Sequence, residues 1–290
     1  MSFVSIIIPV YNGEEYVHRA IECALAQTYP HKEVIVIDDA STDRTQEVVK
    51  KYPVIYHRNE RNMERAYSRN KGVELSKGEF IFFLDHDDLW REDYIESVLK
   101  HLEDSQIVYS FPRSFINSEG KLLRVSRKKL PEDPLELVFS GMVGYPSATA
   151  FKRSAFLGYK DEYVMREDWE IFLRSYLEGL SLKILDEDKV FIREHPKRTS
   201  KSKKFWMATY KVYEDYKDKV PEEYLPYFLF HVGEIAMRFG KLRFGWELCT
   251  RAIFKKPSLL VNPRRLWSLL SVAMAYTSLK VFHLIYMQKL

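Results

Sequence analysis

Apolar positions in the N-terminal part of the chain follow two alternating rhythms. Phe3-Val4-Ser5-Ile6-Ile7-Ile8 is a short, mostly β-branched run, and Pro9, with no N–H for a ladder, is expected to end the strand. A turn at Asn12 and Gly13 follows. Val17, Ala20, Ile21, Ala24 and Leu25 then recur at helical spacing, and Val34-Ile35-Val36-Ile37 is apolar throughout but too short for a helix. The pattern continues with a helix over 45–51 capped by Ser41 or Thr42, a strand over 54–56, a helix over 65–75 and an apolar strand over 80–84.

Continuous apolar strands alternating with helices predict an α/β fold whose mostly parallel sheet is covered on both faces. Ligands of such sheets bind outside the carboxyl ends of the strands. The polar residues at those ends are Tyr11 and Asn12 after the first strand, Asp38 and Asp39 after the second, and Asp85, Asp87 and Asp88 after the fourth. Between 107 and 193 the pattern loosens into short strands, a turn over 117–120 and a helix over 169–177; acceptor-side insertions are expected there. Beyond His195 a basic stretch leads into helices rich in Tyr, Trp, Phe and Lys. The expected division is a catalytic domain over 1–200 and a basic helical region over 201–290.

Composition sharpens this division. With 46% apolar and 14% aromatic residues, the chain has enough to bury a substantial core, and the net charge of +4 gives no reason to expect a nucleic-acid partner. That total hides a split. Up to Pro196 the chain carries 27 Lys and Arg against 34 Asp and Glu, and from Lys197 onward 18 against 7. Cys23 and Cys249 are the two cysteines, so neither a disulfide framework nor a thiolate metal site follows from spacing, and a reducing, cytoplasmic compartment is expected. The N-terminus has neither the basic start nor the cleavage site of a signal peptide.

Neither G-x-G-x-x-G nor G-x-x-x-x-G-K-[ST] occurs, which disfavours a dinucleotide oxidoreductase or a P-loop ATPase. Asp85-His86-Asp87-Asp88 offers another way to hold a diphosphate, because carboxylates at a strand end can bind Mg²⁺ or Mn²⁺ against its oxygens. The same tetrapeptide also reads as a helix cap, with Asp87 or Asp88 opening a helix near Leu89 or Arg91. His86 is either a further ligand or a ring turned away from the strand end.

Taken together, the segments Val4 through Glu14, Gln27-Thr28-Tyr29-Pro30, Val36 through Asp43, Arg69-Asn70-Lys71-Gly72, Asp85-His86-Asp87-Asp88 with Trp90, Arg166-Glu167-Asp168-Trp169-Glu170 and Arg193-Glu194-His195-Pro196 resemble family 2 glycosyltransferases, in the family's order. The resemblance covers about residues 3 to 200. It implies a GT-A fold and transfer of a sugar from a nucleotide-sugar, with inversion at the anomeric carbon. By motif position it implies nucleotide binding at Pro9, Tyr11, Asn12, Glu14, Asp39, Arg69 and Asp85. Tyr11 would lie against the base, Asp39 would accept a hydrogen bond from it as in relatives that use uridine nucleotides, and Arg69 would stand near the diphosphate. Mn²⁺ or Mg²⁺ would be held by Asp85 and Asp87, with Asp88 and His195 as further candidates. Asp168 would be the catalytic base, its pKa raised by Glu167 and Glu170. Glu167 and Asp168 also suit the acidic first turn of a helix, and His195 also reads as a structural loop histidine.

The acceptor implied is a glycan or lipid-linked hydroxyl in cell-surface polysaccharide, lipopolysaccharide or glycolipid synthesis, and the donor a UDP-sugar. Residues 268–287 contain no acidic side chain, but Ser271, Thr277, Ser278, Lys280 and His283 fall all round a helix. Three readings stay open: a buried interface between protein surfaces, including a homo-oligomer; attachment to the inner face of a membrane; and a span. Two rival functions also remain, a sugar-nucleotide nucleotidylyltransferase and a nucleotide-sugar-binding protein without turnover.

Overall fold

The computed structural model describes residues 2–194, 202–261 and 265–266. It divides into two compact units with the changeover between residues 201 and 202, except that 139–141 belong with the second. In chain order the elements are β1 (Val4–Val10), α1 (Val17–Leu25), β2 (Lys32–Asp38), α2 (Thr45–Val49), β3 (Ile55–Arg58), α3 (Glu64–Leu75), β4 (Phe80–Phe83), β5 (Leu89–Trp90), α4 (Tyr94–Leu102) and β6 (Ile107–Ser110). There follow β7 (Ser114–Ile116), β8 (Leu122–Val125), α5 (Glu136–Phe139), β9 (Thr149–Lys152), α6 (Glu167–Leu177), β10 (Leu182–Leu185), β11 (Val190–Arg193), α7 (Lys203–Tyr216), α8 (Leu225–Arg238) and α9 (Leu242–Lys255).

In the first unit the described strands form a seven-stranded sheet, ordered β10-β6-β9-β4-β1-β2-β3, and a four-stranded sheet, ordered β5-β11-β7-β8. In the larger sheet β1 pairs in parallel with both β2 and β4, and β9 is the antiparallel member between β4 and β6. Every residue of β1 is buried, as a strand covered on both faces requires. The approach of α3 to β1 is close: a β-carbon on Gly72 would overlap Ile7, so only glycine fits there.

Two expectations from the sequence are corrected here. Pro9 does not end β1, which runs on to Val10 and pairs Pro9 with Ile37. The last bond on the β4 side is Leu84 N–H to Ile7 C=O, while Val10 C=O accepts Asp39 N–H on the β2 side. The proline nitrogen therefore faces the side where β4 has already ended, and its missing donor interrupts no ladder. Nor do Ser41 and Thr42 cap α2. The cap position is Arg44, without a side-chain cap bond; Asp43 Oδ1, one residue earlier, accepts Thr45 N–H at 3.0 Å, while Ser41 and Thr42 bond to the turn after β1.

The second unit packs α8 against α9 through glycines: a β-carbon on Gly233 would lie 2.8 Å from Gly245 O and 2.6 Å from Cys249 Sγ. Aromatic rings fill the space toward α7, with Tyr213 stacked on Phe228 and Phe244 edge-on to Tyr210 and Tyr213. No helix among the described residues is long and apolar enough to cross a membrane. The segment 268–287 lies outside the described residues.

Candidate active site

Strands β2, β1 and β4 are parallel neighbours, so their carboxyl ends share one edge of the sheet and bring the three polar clusters together. After β1, Tyr11 is 45% exposed. Asn12 takes the left-handed conformation at φ 51°, which asparagine tolerates better than most residues. Its N–H donates to Ser41 Oγ at 2.9 Å and its Oδ1 accepts Thr42 N–H at 2.8 Å. The Glu14 carboxylate accepts Arg44 N–H at 3.0 Å and Arg44 Nε–H at 3.2 Å, so the β1 turn is laced to the loop after β2.

The two aspartates after β2 do different work. Asp38 is closed off from solvent, accepting from Ser41 N–H and the Tyr56 hydroxyl at 2.8 and 2.7 Å. Asp39, 4% exposed, accepts Asn59 Nδ2–H and Met63 N–H on Oδ1, both at 2.8 Å. Those two bonds fix its orientation at the strand end.

After β4 the three aspartates also separate. Asp85 keeps 28% of its side chain exposed and accepts Arg69 Nη2–H at 2.8 Å, while its N–H donates to Ser147 Oγ at 3.0 Å. Asp88 is buried, with Oδ2 accepting the Ser147 hydroxyl at 2.6 Å and Oδ1 accepting Arg193 N–H at 2.9 Å. Burial, and then the charges of Asp87 and Asp85, push the Asp88 carboxyl well above its ordinary pKa. Neither Asp87 nor Asp88 caps a helix near residue 90, because Leu89–Trp90 is a strand paired with β11 and the next helix starts at Tyr94. The His86 ring packs against Gly13, where an added β-carbon would lie 2.7 Å from its Cδ2.

Among the described residues no three His, Cys, Asp or Glu side chains are grouped to hold an ion by themselves. With both Asp88 oxygens occupied inside the protein, Asp85 and Asp87 are the pair suited to one. Mg²⁺ and Mn²⁺ bound to diphosphates need only one or two carboxylates, the remainder coming from phosphate and water. The repulsion that lifts Asp88 is what a divalent cation at this edge would relieve. His195 lies outside the described residues.

Opposite these carboxylates is the start of α6. Arg166 adopts φ 66° and lays its guanidinium 4.3 Å from the ring of Trp169, which is itself buried and donates from Nε1 to Val138 C=O at 2.7 Å. This anchors the first turn. Asp168 is half-buried: Oδ1 accepts Trp169 N–H at 2.7 Å, and among the described residues Oδ2 receives no hydrogen bond. Burial first, and then the charge of Glu167, raise its pKa to about 6. Glu170 is not among the leading causes of that shift. It is turned away, bonded to Arg174 at 2.9 Å and paired with Lys160 at 3.2 Å.

Arg69 connects the two halves of the site. Only 2% exposed, it donates from Nη1 to Glu167 Oε1 at 2.9 Å and from Nη2 to Asp85 Oδ1 at 2.8 Å, and its guanidinium lies 5.4 Å from the centre of the Tyr159 ring. Its charge is met by these two carboxylates. The neighbouring Asn70 is structural, its amide bracketing the backbone N–H and C=O of Tyr159. Sequence reasoning missed Ser147, which serves Asp85 and Asp88 together, and Tyr159. Neither lies in a recognisable motif, and only the crossing of β9 beside β4 brings Ser147 to the edge.

The family model described as "Glycosyl transferase family 2" matches residues 5–159. Among curated proteins the chain is 27% identical over 210 residues to the UDP-Glc:alpha-D-GlcNAc-diphosphoundecaprenol beta-1,3-glucosyltransferase WfaP of Escherichia coli, covering 70% of this chain and 82% of WfaP. Of several other curated relatives it spans less than half the length. Among solved structures, S. aureus TarS 1-349 in complex with UDP-GlcNAc aligns with a TM-score of 0.62 at 16% identity over 88% of this chain and 91% of that one. The mannosyltransferase PcManGT of Pyrobaculum calidifontis, in complex with GDP-Man and Mn²⁺, aligns with a TM-score of 0.57 at 20% identity over 94% and 86%. At these identities the likeness is one of fold, and the fold is that of GT-A glycosyltransferases.

Proposed function

This chain belongs to glycosyltransferase family 2, and we propose that it is a metal-dependent inverting enzyme that moves a sugar from a UDP-sugar to a hydroxyl of a glycan or lipid-linked glycan in cell-surface synthesis. The observation that carries the reading is the Asp168 carboxylate. It has one oxygen held and one that no described residue bonds, a pKa raised to about 6, and a link through Glu167 and Arg69 to Asp85 on the strand-end edge. A base with these properties is largely ionised at pH 7 and still basic enough to accept a proton.

In this mechanism the acceptor oxygen attacks the anomeric carbon from the face opposite the diphosphate. The bond from that carbon to the phosphate oxygen breaks, its electron pair leaves with the nucleoside diphosphate, and Asp168 Oδ2 takes the hydroxyl proton. Inversion follows from the single displacement. Asp85 and Asp87 would hold Mn²⁺ or Mg²⁺, which supplies positive charge for the departing diphosphate. Tyr11, 45% exposed at the edge, would cover the base, and Asp39, oriented by Asn59 and Met63, would receive a hydrogen bond from it; Pro9, Asn12 and Glu14 shape the turn that carries Tyr11.

The uridine preference draws support from the WfaP donor and the TarS ligand, and the lipid-linked acceptor from the diphosphoundecaprenol named for WfaP. The basic C-terminal region suits contact with an anionic membrane surface, which would put the enzyme at its inner face. The test is a thermal-stabilisation screen of UDP-, GDP- and dTDP-sugars with Mn²⁺ or Mg²⁺, followed by NMR of the product anomer. A UDP-sugar should stabilise most, and transfer should invert; retention of configuration, or no response to any nucleotide-sugar, would sink the reading.

A further inference from the structure

Gly144 lies against the open oxygen of Asp168. A β-carbon built there would stand 3.4 Å from Asp168 Oδ2 and 4.0 Å from its Cγ, and among the described residues, its chain neighbours aside, would meet nothing else within 4 Å. Its backbone is not in the left-handed region, so the conformation does not demand glycine. What the missing side chain provides is space in front of one carboxylate oxygen.

The position of this glycine is held from both sides. Its N–H donates at 3.4 Å to the hydroxyl of Tyr109, a residue of β6 with no solvent exposure, which itself donates to Met142 C=O. Three residues on, Ser147 is bonded to Asp85 and Asp88. One short stretch, 142–147, is thus fixed at one end beside the base and at the other beside the strand-end carboxylates.

We propose that Gly144 is the specificity-determining position of the acceptor subsite: the absence of a side chain opens Asp168 Oδ2 to a sugar hydroxyl, and bulk at this position excludes it. The proposal rests on Asp168 being the base. A water molecule is smaller than a sugar, so a methyl or isopropyl group at 144 should hinder transfer to a sugar far more than hydrolysis of the donor.

Two readouts test this in the full chain. The first needs no substrate: carbodiimide-driven amidation of Asp168, read by peptide mass spectrometry, should slow at least tenfold in Gly144→Val, with labelling of exposed Glu119 unchanged and circular dichroism of the variant like wild type. The second compares UDP release from UDP-GlcNAc alone with transfer to octyl glycosides of glucose, galactose and N-acetylglucosamine. In Gly144→Ala, transfer should fall about tenfold or more while hydrolysis and the stabilisation by UDP with Mn²⁺ persist. Equal labelling of Asp168 in wild type and Gly144→Val, or parallel loss of hydrolysis and transfer, would overturn the proposal. Undiminished transfer by Asp168→Asn would instead overturn the base assignment, leaving the labelling result as the separate measure of access past residue 144.

Discussion

Arg69 donates to Glu167 at 2.9 Å with both side chains almost wholly removed from solvent, 2% and 3% exposed. The same guanidinium holds Asp85, so the carboxyl end of β4 and the start of α6 are joined through one cation. Removing one member of a buried ion pair leaves an uncompensated charge and costs about 3–5 kcal/mol. Arg69→Met should destabilise the protein by that order in chemical denaturation. Arg69→Lys keeps the charge without the fork that reaches two carboxylates, and should lower kcat more than it raises the donor KM. A loss confined to KM would mean that Arg69 acts on the donor instead.

The pH profile reports Asp168. With its pKa raised to about 6, the base is protonated below that point, so kcat/KM should rise with pH through an acid limb near 6 and the limb should vanish in Asp168→Asn. Stability moves the other way. The native state holds this proton more tightly than the unfolded chain, so the contribution is fully favourable below pH 4 and is lost as pH rises through 6. Asp168→Asn should therefore be more stable than wild type at pH 8 by about 1–2 kcal/mol, allowing for solvent screening of the half-buried group, and indistinguishable at pH 3.5. Thermal melts at the two pH values decide it.

Removal of metal with EDTA should abolish transfer, and Mn²⁺ with UDP should raise the melting temperature of wild type. Asp85→Ala and Asp87→Ala are expected to lose that rise. Asp88→Ala is expected to differ, because it strips partners from Arg193 N–H and the Ser147 hydroxyl, and should lower stability without any ligand by about 1–3 kcal/mol per orphaned group. If all three variants behave alike, the separation of roles along this tetrapeptide is wrong.

Two glycines test the packing. A β-carbon on Gly72 would overlap Ile7 of β1, and one on Gly245 would lie 2.6 Å from Gly233 O across the α8–α9 crossing. In each case the neighbour is part of a packed element, so the helix must shift, and Gly72→Ala and Gly245→Ala should each cost about 1–3 kcal/mol. Urea titrations of the two variants provide the check; a gain in stability, as expected from helix propensity alone, would contradict the packing.

The strand-and-helix order, the shared edge of polar clusters and the carboxylates of that edge were legible because each depends on local periodicity and on residues close in sequence. The strand end at Pro9 was misread because a proline is harmful only where a neighbour waits for its N–H, and whether β4 extends that far is a matter of sheet register. The alternative reading of Asp87 or Asp88 as a helix cap fails for a related reason: β11, about a hundred residues later, takes Leu89–Trp90 as a strand partner.

The sequence by itself determined the fold class, the family, and which carboxylates are available, since periodicity, motif order and side-chain chemistry are written along the chain. Only the tertiary structure decided how those carboxylates are used. Asp88 is consumed by Ser147 and Arg193, Glu170 by Arg174 and Lys160, and Glu167 by Arg69, while Asp168 keeps one oxygen beside Gly144 that no described residue bonds. The physical reason is that burial and pairing set the charge state and reach of an acid, and both depend on residues brought alongside from distant parts of the chain.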